Sequence, residues 1–156
     1  MAHPIIRDMR EADAGEIVRM VAESAKLSAV VPRLTANALN AGRDLVDVAV
    51  AEMDGRLIGA CLSVMTFSTW RGGRGLYVVD LFVDADQRGR NIGLKLLQAA
   101  ASRGLGLGAG FIKLEVDHAN AGAARFYQRL GFAKKDRERL FIHDDISAFI
   151  QQGTAS

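Results

Sequence analysis

The sequence predicts an α/β (α+β) domain in which helices cover both faces of a mixed central β-sheet, giving αβα layers. Three observations carry that expectation. Short apolar runs with strand periodicity alternate along the chain with segments of helical periodicity. Turn signals separate them, the strongest being Asp54-Gly55 between two alternating runs. The composition, 49% hydrophobic and 24% charged over 156 residues, is that of a globular chain, and no repeat or Pro/Ser-rich linker divides it. One domain over 1–156 is therefore expected.

In chain order, residues 5–10 read as a short strand. Asp13 and Glu16 make a capping-box-like start, and Ile17, Val18, Val21, Ala22 and Ala25 follow at helical spacing, so 13–26 is a helix with one apolar face. Pro32 closes that region, and 35–41 is a shorter helix stopped by Gly42. Val46, Val48 and Val50 alternate in a strand over 45–53, and Asp54-Gly55 turns the chain into a return strand over 57–66. A glycine-rich loop over 70–75 precedes an apolar strand over 76–83. A helix is expected from about 91 to 103, ended by Gly104, Gly106, Gly108 and Gly110. Ile112, Leu114 and Val116 alternate in a strand over 111–116, residues 120–130 form a helix ended by Gly131, and 132–143 is strand-like. Ile146, Phe149 and Ile150 mark a closing helix over 145–151.

Several function classes lose support at once. Twenty Lys+Arg against eighteen Asp+Glu leave a net charge of +2, which argues for neither a nucleic-acid nor a membrane partner. One cysteine, Cys61, excludes a disulfide framework and a multi-cysteine zinc site, and no metal is expected. No apolar run approaches the roughly eighteen residues of a membrane span, and residues 1–10 lack a signal-peptide core, so a cytosolic location is expected.

The glycines point to a site. Arg88-Gly89-Arg90-Asn91-Ile92-Gly93 lies where a strand gives way to a helix, and there backbone N–H groups without intrahelical partners point along the axis. With the helix dipole they suit a phosphate or pyrophosphate. Gly89 and Gly93 bring no side chain between a phosphate and those groups, Asn91 tolerates left-handed dihedrals, and Arg88 and Arg90 add positive charge. No Gly-Lys-Ser/Thr follows, so this is not a P-loop, and the glycine spacing is not that of the Rossmann fingerprint.

Downstream, Asn120 to Phe132 reads N-x-x-A-x-x-F-Y-x-x-x-G-F. Together with the upstream glycine motif and the strand between them, this segment resembles the GNAT superfamily of acyl-CoA-dependent N-acyltransferases. Within it the chain is most similar to the diamine (spermidine/spermine) acetyltransferase-like branch, on Phe67-Ser68-Thr69-Trp70 followed by Leu76-Tyr77-Val78-Val79-Asp80-Leu81-Phe82-Val83 and on the ending Arg139-Leu140-Phe141-Ile142. The resemblance implies a GNAT-like sheet, acetyl-CoA as co-substrate and a primary amine of a small molecule or a protein as acceptor. It implies that residues 88–93 (Ile92 included) hold the pyrophosphate. The pantetheine arm would lie along Leu81, Phe82 and Val83 like an added strand, and Asn120 and Phe126 would adjoin the coenzyme. It also implies a homodimer, in which Ile142, Phe149 and Ile150 would pack on a partner if the last helix does not pack on its own sheet.

Two departures accompany the likeness. Asn91 stands where most members carry glycine, a sterically mild change. Val79 stands where the diamine branch places a glutamate, while Asp80 beside it is retained, so a polyamine acceptor is not expected.

As an acyltransferase the chain must neutralise its amine. An alkyl ammonium of pKa about 10.4 gives up its proton at a cost of roughly 4.6 kcal/mol at neutral pH. Asp80 is the first candidate, acting through water or as an electrostatic partner of the ammonium, or else a water chain drains the proton. Tyr127, ordinarily protonated at neutral pH, is the candidate general acid for the departing thiolate. Cys61 sits inside a strand pattern without a neighbouring base and reads as a structural thiol. Trp70 either caps an acceptor pocket or packs at a dimer interface. A catalytically silent acyl-CoA-binding module is the alternative reading, and Val79 is the residue that favours it.

Overall fold

A computed structural model describes residues 3–26, 28, 30–137 and 139–153. The chain forms two compact units, Met1–Glu115 and Val116–Ser156. The first is a five-stranded sheet in the order β1 (Ile5–Asp8), β2 (Asp47–Met53), β3 (Arg56–Ser68), β4 (Gly73–Val83) and β5 (Ile112–Leu114). The first four strands are antiparallel neighbours, and β5 runs parallel to β4. Helices α1 (Ala14–Ser24), α2 (Ala36–Ala41) and α3 (Ile92–Gly106) complete it.

Strand periodicity decides which residues meet which helix. Val48 and Val50 of β2, Ala60 and Leu62 of β3 and Phe82 of β4 join Ile17, Met20 and Val21 of α1 in one buried cluster. The intervening positions face α3, which packs across β2, β3 and β4. There Gly59 lets the helix approach: a Cβ at this position would lie 2.8 Å from the Phe82 carbonyl oxygen and 3.0 Å from Leu96 Cδ1. The sheet is therefore covered on both faces, as the sequence predicts.

The helix ends show where tertiary forces override local signals. Asp13 does not cap α1 through a capping box with Glu16. Its carboxylate instead accepts from the Arg10 N–H at 2.7 Å and pairs with Arg7 at 2.8 Å, which produces a 3-10 turn over Glu11–Asp13 before α1. Arg7 also reaches Glu52 at 2.8 Å, so one guanidinium ties β1 to β2 and to the start of α1. Helix α3 does not stop at residue 103 but runs through Gly104 to Gly106. Gly104 is held in the helix because it lies against Leu76, where even a Cβ would be only 3.3 Å from Leu76 Cδ1. The end comes at Leu107 and Gly108, the latter at φ 97°.

The second unit holds α4 (Ala121–Arg129) and α5 (Ile146–Ile150). Asn120 caps α4 by accepting from Ala123 N–H at 3.1 Å, and Asp145 caps α5 by accepting from Ala148 N–H at 2.9 Å. The strand expected over 132–143 is absent among the described residues. A strand needs a neighbour to satisfy its main chain, and this unit offers none. Its apolar residues, Leu140, Phe141 and Ile142, are contiguous rather than alternating and stay exposed. No described helix is long and apolar enough to cross a membrane.

Gly59→Ala forces either the Phe82 carbonyl or α3 to shift, so it should lower unfolding free energy by about 1–3 kcal/mol. Urea unfolding measures this.

Candidate active site

The first unit assembles its candidate site from the second half of β4 and the start of α3. Strand β4 stays paired with β3 as far as Val83, opposite Gly59, but its pairing with β5 covers only Leu76–Val78. From Val79 onward no strand among the described residues pairs with the outer edge of β4. Main-chain N–H and C=O groups along Leu81, Phe82 and Val83 are thus presented for an extended ligand to pair with. A register shift accompanies the change: Leu62 faces Asp80 while Ser63 faces Val78, which makes Val79 the extra residue of a β-bulge.

That bulge aims the side chains. Directly opposed residues of neighbouring strands share a face. Val64 faces Tyr77, Leu62 faces Asp80 and Ala60 faces Phe82, so Tyr77, Asp80 and Phe82 all project toward the α1 side. Without the extra residue, Asp80 would point toward α3 instead. Asp80 is half-buried, and this burial pushes its carboxyl above the ordinary aspartate range. The sequence reading singles out Asp80 but passes over what lies beside it. Tyr77 is opposite Lys113 of β5, whose Nζ sits 5.2 Å from the centre of its ring. Burial raises the Tyr77 phenol, and the negative charges of Glu115 and Asp80 raise it further. The alternation of Ile112 and Leu114 that marks β5 also places Lys113 and Glu115 together on its polar side, and this was the signal available for finding them.

At the start of α3 the backbone is shaped for an anion. Gly89 has φ 85° and Asn91 φ 62°, both left-handed, and no atom lies within 4 Å of where a Gly89 Cβ would stand. The first amides of a helix, here those of Ile92, Gly93 and Leu94, have no intrahelical acceptor. Side chains cap α2, α4 and α5, but Asn91 makes no such bond to α3. Arg88 and Arg90 are exposed beside this turn, with Arg88 Nε donating to the Val83 carbonyl at 3.4 Å. An open strand edge leading to an uncapped, positively flanked helix start fits an extended amide-bearing arm that ends in a diphosphate.

The remaining expected residues lie elsewhere. Cys61 is fully buried in β3, and burial pushes its thiol up to about 12, so it is not a nucleophile at neutral pH. Trp70, at the tip of the β3–β4 hairpin, is 99% exposed. In the second unit Phe126 and Tyr127 are half-buried on α4. The Tyr127 ring meets Phe126 and Phe132 edge-on at 5.1 and 5.6 Å, and its carbonyl accepts from the Phe132 N–H at 3.1 Å. Phe126 therefore packs as an aromatic neighbour of Tyr127. Among the described residues, no group of three or more His, Cys, Asp or Glu is placed to hold a metal ion.

At Asn91 the left-handed backbone costs an ordinary side chain about 1–2 kcal/mol. Asn91→Ala should therefore lower stability by about 1 kcal/mol while Asn91→Gly should not. Thermal and urea unfolding of the two variants measure the difference.

Comparison with known proteins agrees with this geometry. The thialysine N-epsilon-acetyltransferase of Sus scrofa is 34% identical over 146 residues, covering 84% of this chain and 85% of that protein. The protein of the same name from Mus musculus is 31% identical over the same length. The fold matches a solved aminoglycoside N-acetyltransferase in complex with CoA, with a TM-score of 0.75 at 19% identity and coverage of 93% of this chain and 97% of that one. Residues 16–132, a span that includes the β4 edge, the α3 turn and the α4 motif, match the Acetyltransferase (GNAT) family. The chain belongs to that family and is an acetyl-CoA-dependent acetyltransferase.

Proposed function

We propose that this enzyme moves an acetyl group from acetyl-CoA to the primary amine of a small molecule or of a protein, by direct attack of the amine. The observation that carries this reading is the free outer edge of β4 from Val79 to Val83 running toward the uncapped start of α3. Leu81, Phe82 and Val83 would offer main-chain groups to the pantetheine arm. The amides over 88–93, with Arg88 and Arg90, would hold the diphosphate. Acetyl-CoA supplies the activated thioester, and a β4 N–H is suited to polarise its carbonyl.

The chain's own residues then manage protons. Asp80 accepts the proton that the ammonium must lose, either directly or through one water. Burial already raises its proton affinity, which brings it closer to that task than a solvated aspartate. The amine nitrogen forms its bond to the acyl carbon and gives up its second proton to water as the amide forms, while the carbon–sulfur bond breaks and the sulfur takes a proton from the Tyr127 hydroxyl, which water then replaces. Two things support Tyr127: its place in the N-x-x-A-x-x-F-Y motif that begins at Asn120, and the aromatic packing that orients its ring. The same reading gives Asn120, already the α4 cap, and Phe126 a place beside the coenzyme.

For the acceptor, the thialysine-acetylating relatives make a lysine-like side-chain amine the first compound to test. Val79 in the place of a glutamate argues against a polyamine. The exposure of Ile142, Phe149 and Ile150, at 70%, 57% and 69%, supports pairing with a second copy, and a cytosolic location completes the reading.

Two variants test the proton assignments. Tyr127→Phe should lose most turnover, by about 10²-fold or more, while acetyl-CoA binding measured by calorimetry is unchanged. Full turnover across the pH range would remove Tyr127 from the role of acid. Asp80→Asn should abolish the acid limb of the kcat/KM profile yet raise stability at pH 7. Burial makes the folded carboxyl easier to protonate, so its contribution is complete below the ordinary aspartate value of about 3.9 and is lost as pH rises through the higher folded value. The gain from Asp80→Asn should therefore vanish in acid, as chemical unfolding at several pH values would show.

A further inference from the structure

At the far end of α3 from the anion-facing turn, the sheet and the helix do not close on each other. Strand β2 pairs with β3 only from Asp47, opposite Ser63. Just before it, the Leu45 and Val46 N–H groups both donate to the Gly42 carbonyl, at 3.0 and 2.9 Å, so this segment folds on itself and does not extend the ladder. Beyond Ser63 no strand among the described residues pairs with that edge of β3, and its main chain at Val64 and Met65 borders the space left behind. With the last turn of α3 on one side, the result is a cavity of about 350 Å³. Small-molecule sites span roughly 300–1,000 Å³.

Two buried polar atoms at this cavity make no hydrogen bond among the described residues. Ser63 is fully buried and its hydroxyl has no partner. Arg103 pairs with Asp8, and its Nε lies 2.9 Å from Asp47 Oδ2 without the alignment that a hydrogen bond requires. A buried donor without an acceptor costs stability, and a ligand oxygen placed between these two groups would remove that cost. Two arginines, Arg43 and Arg103, and two aspartates, Asp44 and Asp47, line the cavity, so its wall carries no net charge. Most of the rest is aliphatic, including Met65, Leu76 and Leu107.

We propose that this cavity is a binding site for a small uncharged amide with an aliphatic side chain. The amide carbonyl accepts from the Ser63 hydroxyl and the Arg103 Nε–H, its N–H donates to the open β3 edge, and the aliphatic part lies against Met65, Leu76 and Leu107. A charged ligand would shed its water against a wall with no net charge to replace it. The site is separate from the coenzyme surface proposed above. Arg103 lies eleven residues after Ile92, roughly 16 Å along α3, and the cavity meets β4 at Leu76, short of the free edge.

N-acetylleucinamide is the probe, with leucinamide and N-acetylleucine as counterparts that add one positive or one negative charge. Titrated at millimolar concentration into the intact chain and followed by backbone amide NMR, the probe should shift residues 44–47, 63–65 and 103–107. Each charged counterpart should bind about ten-fold more weakly or worse. Ser63→Ala should weaken the probe about five-fold or more and raise the thermal midpoint, because it removes a buried hydroxyl without a partner. Leu107→Trp, at an exposed position on the rim, should narrow the mouth and cut probe affinity about ten-fold.

An absence of shifts would mean that the cavity takes water only, and shifts confined to 79–83 would move the amide to the free β4 edge; either result overturns the proposal. So would equal affinity for a charged counterpart, or unchanged probe affinity in either variant. A lower thermal midpoint in Ser63→Ala would show that the hydroxyl is already bonded within the fold, and would overturn it too. None of these results bears on acetyl transfer, which is read separately by release of the CoA thiol.

Discussion

Strand pairing satisfies backbone groups two edges at a time, and along its second half β4 has a partner strand, among the described residues, on one edge only. Its bonds to β3 continue to Val83, but its partnership with β5 ends at Val78 and Leu114. A strand edge inside a folded protein is ordinarily covered or blunted, because its free N–H and C=O groups will pair with whatever extended chain arrives. Here the free edge leads to a helix start that no side chain caps, so a ligand with amides along its length and a diphosphate at its end meets complementary groups throughout. Recognition by main chain would leave the side chains free for other duties: Phe82 faces the core, so under the proposed reading only its peptide groups would serve the coenzyme.

The extra residue at Val79 links this edge to the chemistry. A regular β4 would place Tyr77 and Asp80, three positions apart, on opposite faces of the sheet. The bulge restores them to one face and increases the local twist where β4 and β5 part. The layers above and below then set the environment: α1 and α2 bury the aliphatic residues on the Asp80 side, while Gly59 and Gly104 let α3 lie close on the other. Asp80 is consequently removed from much of the solvent without being paired to an arginine among the described residues, and this is why its carboxyl holds a proton more readily.

Much of this was legible in the residues. The alternation of Val46, Val48 and Val50, the Asp54-Gly55 turn and the helical spacing in α1 produce the elements they predict, displaced by a residue or two at the ends. The glycines before α3 signalled a turn with left-handed backbone, and the left-handed dihedral that Asn91 tolerates is the one it adopts. Local signals failed where distant partners decide. Asp13 gave up its capping role because Arg7 competes for it, and Gly104 stayed helical because Leu76 lies against it. Residues 132–143 have apolar content but no pairing partner within their own unit. The β-bulge could not be read at all, since it is a property of the register between β3 and β4 and not of either strand. The pairing of Tyr77 with Lys113 stayed hidden for the same reason: what joins them is the parallel register with β5.

Cys61 occupies the middle of β3, opposite Leu81, on the strand paired with the half-open stretch of β4. Every turnover of an acyl-CoA enzyme liberates a free sulfhydryl within reach of the protein. A protein thiol that was exposed and readily ionised would be captured by oxidised coenzyme as a mixed disulfide, and the catalyst would be lost to its own product. Enclosing the chain's single cysteine in the sheet, where the thiolate is costly to form, lets coenzyme A accumulate and change redox state without leaving a covalent mark on the enzyme.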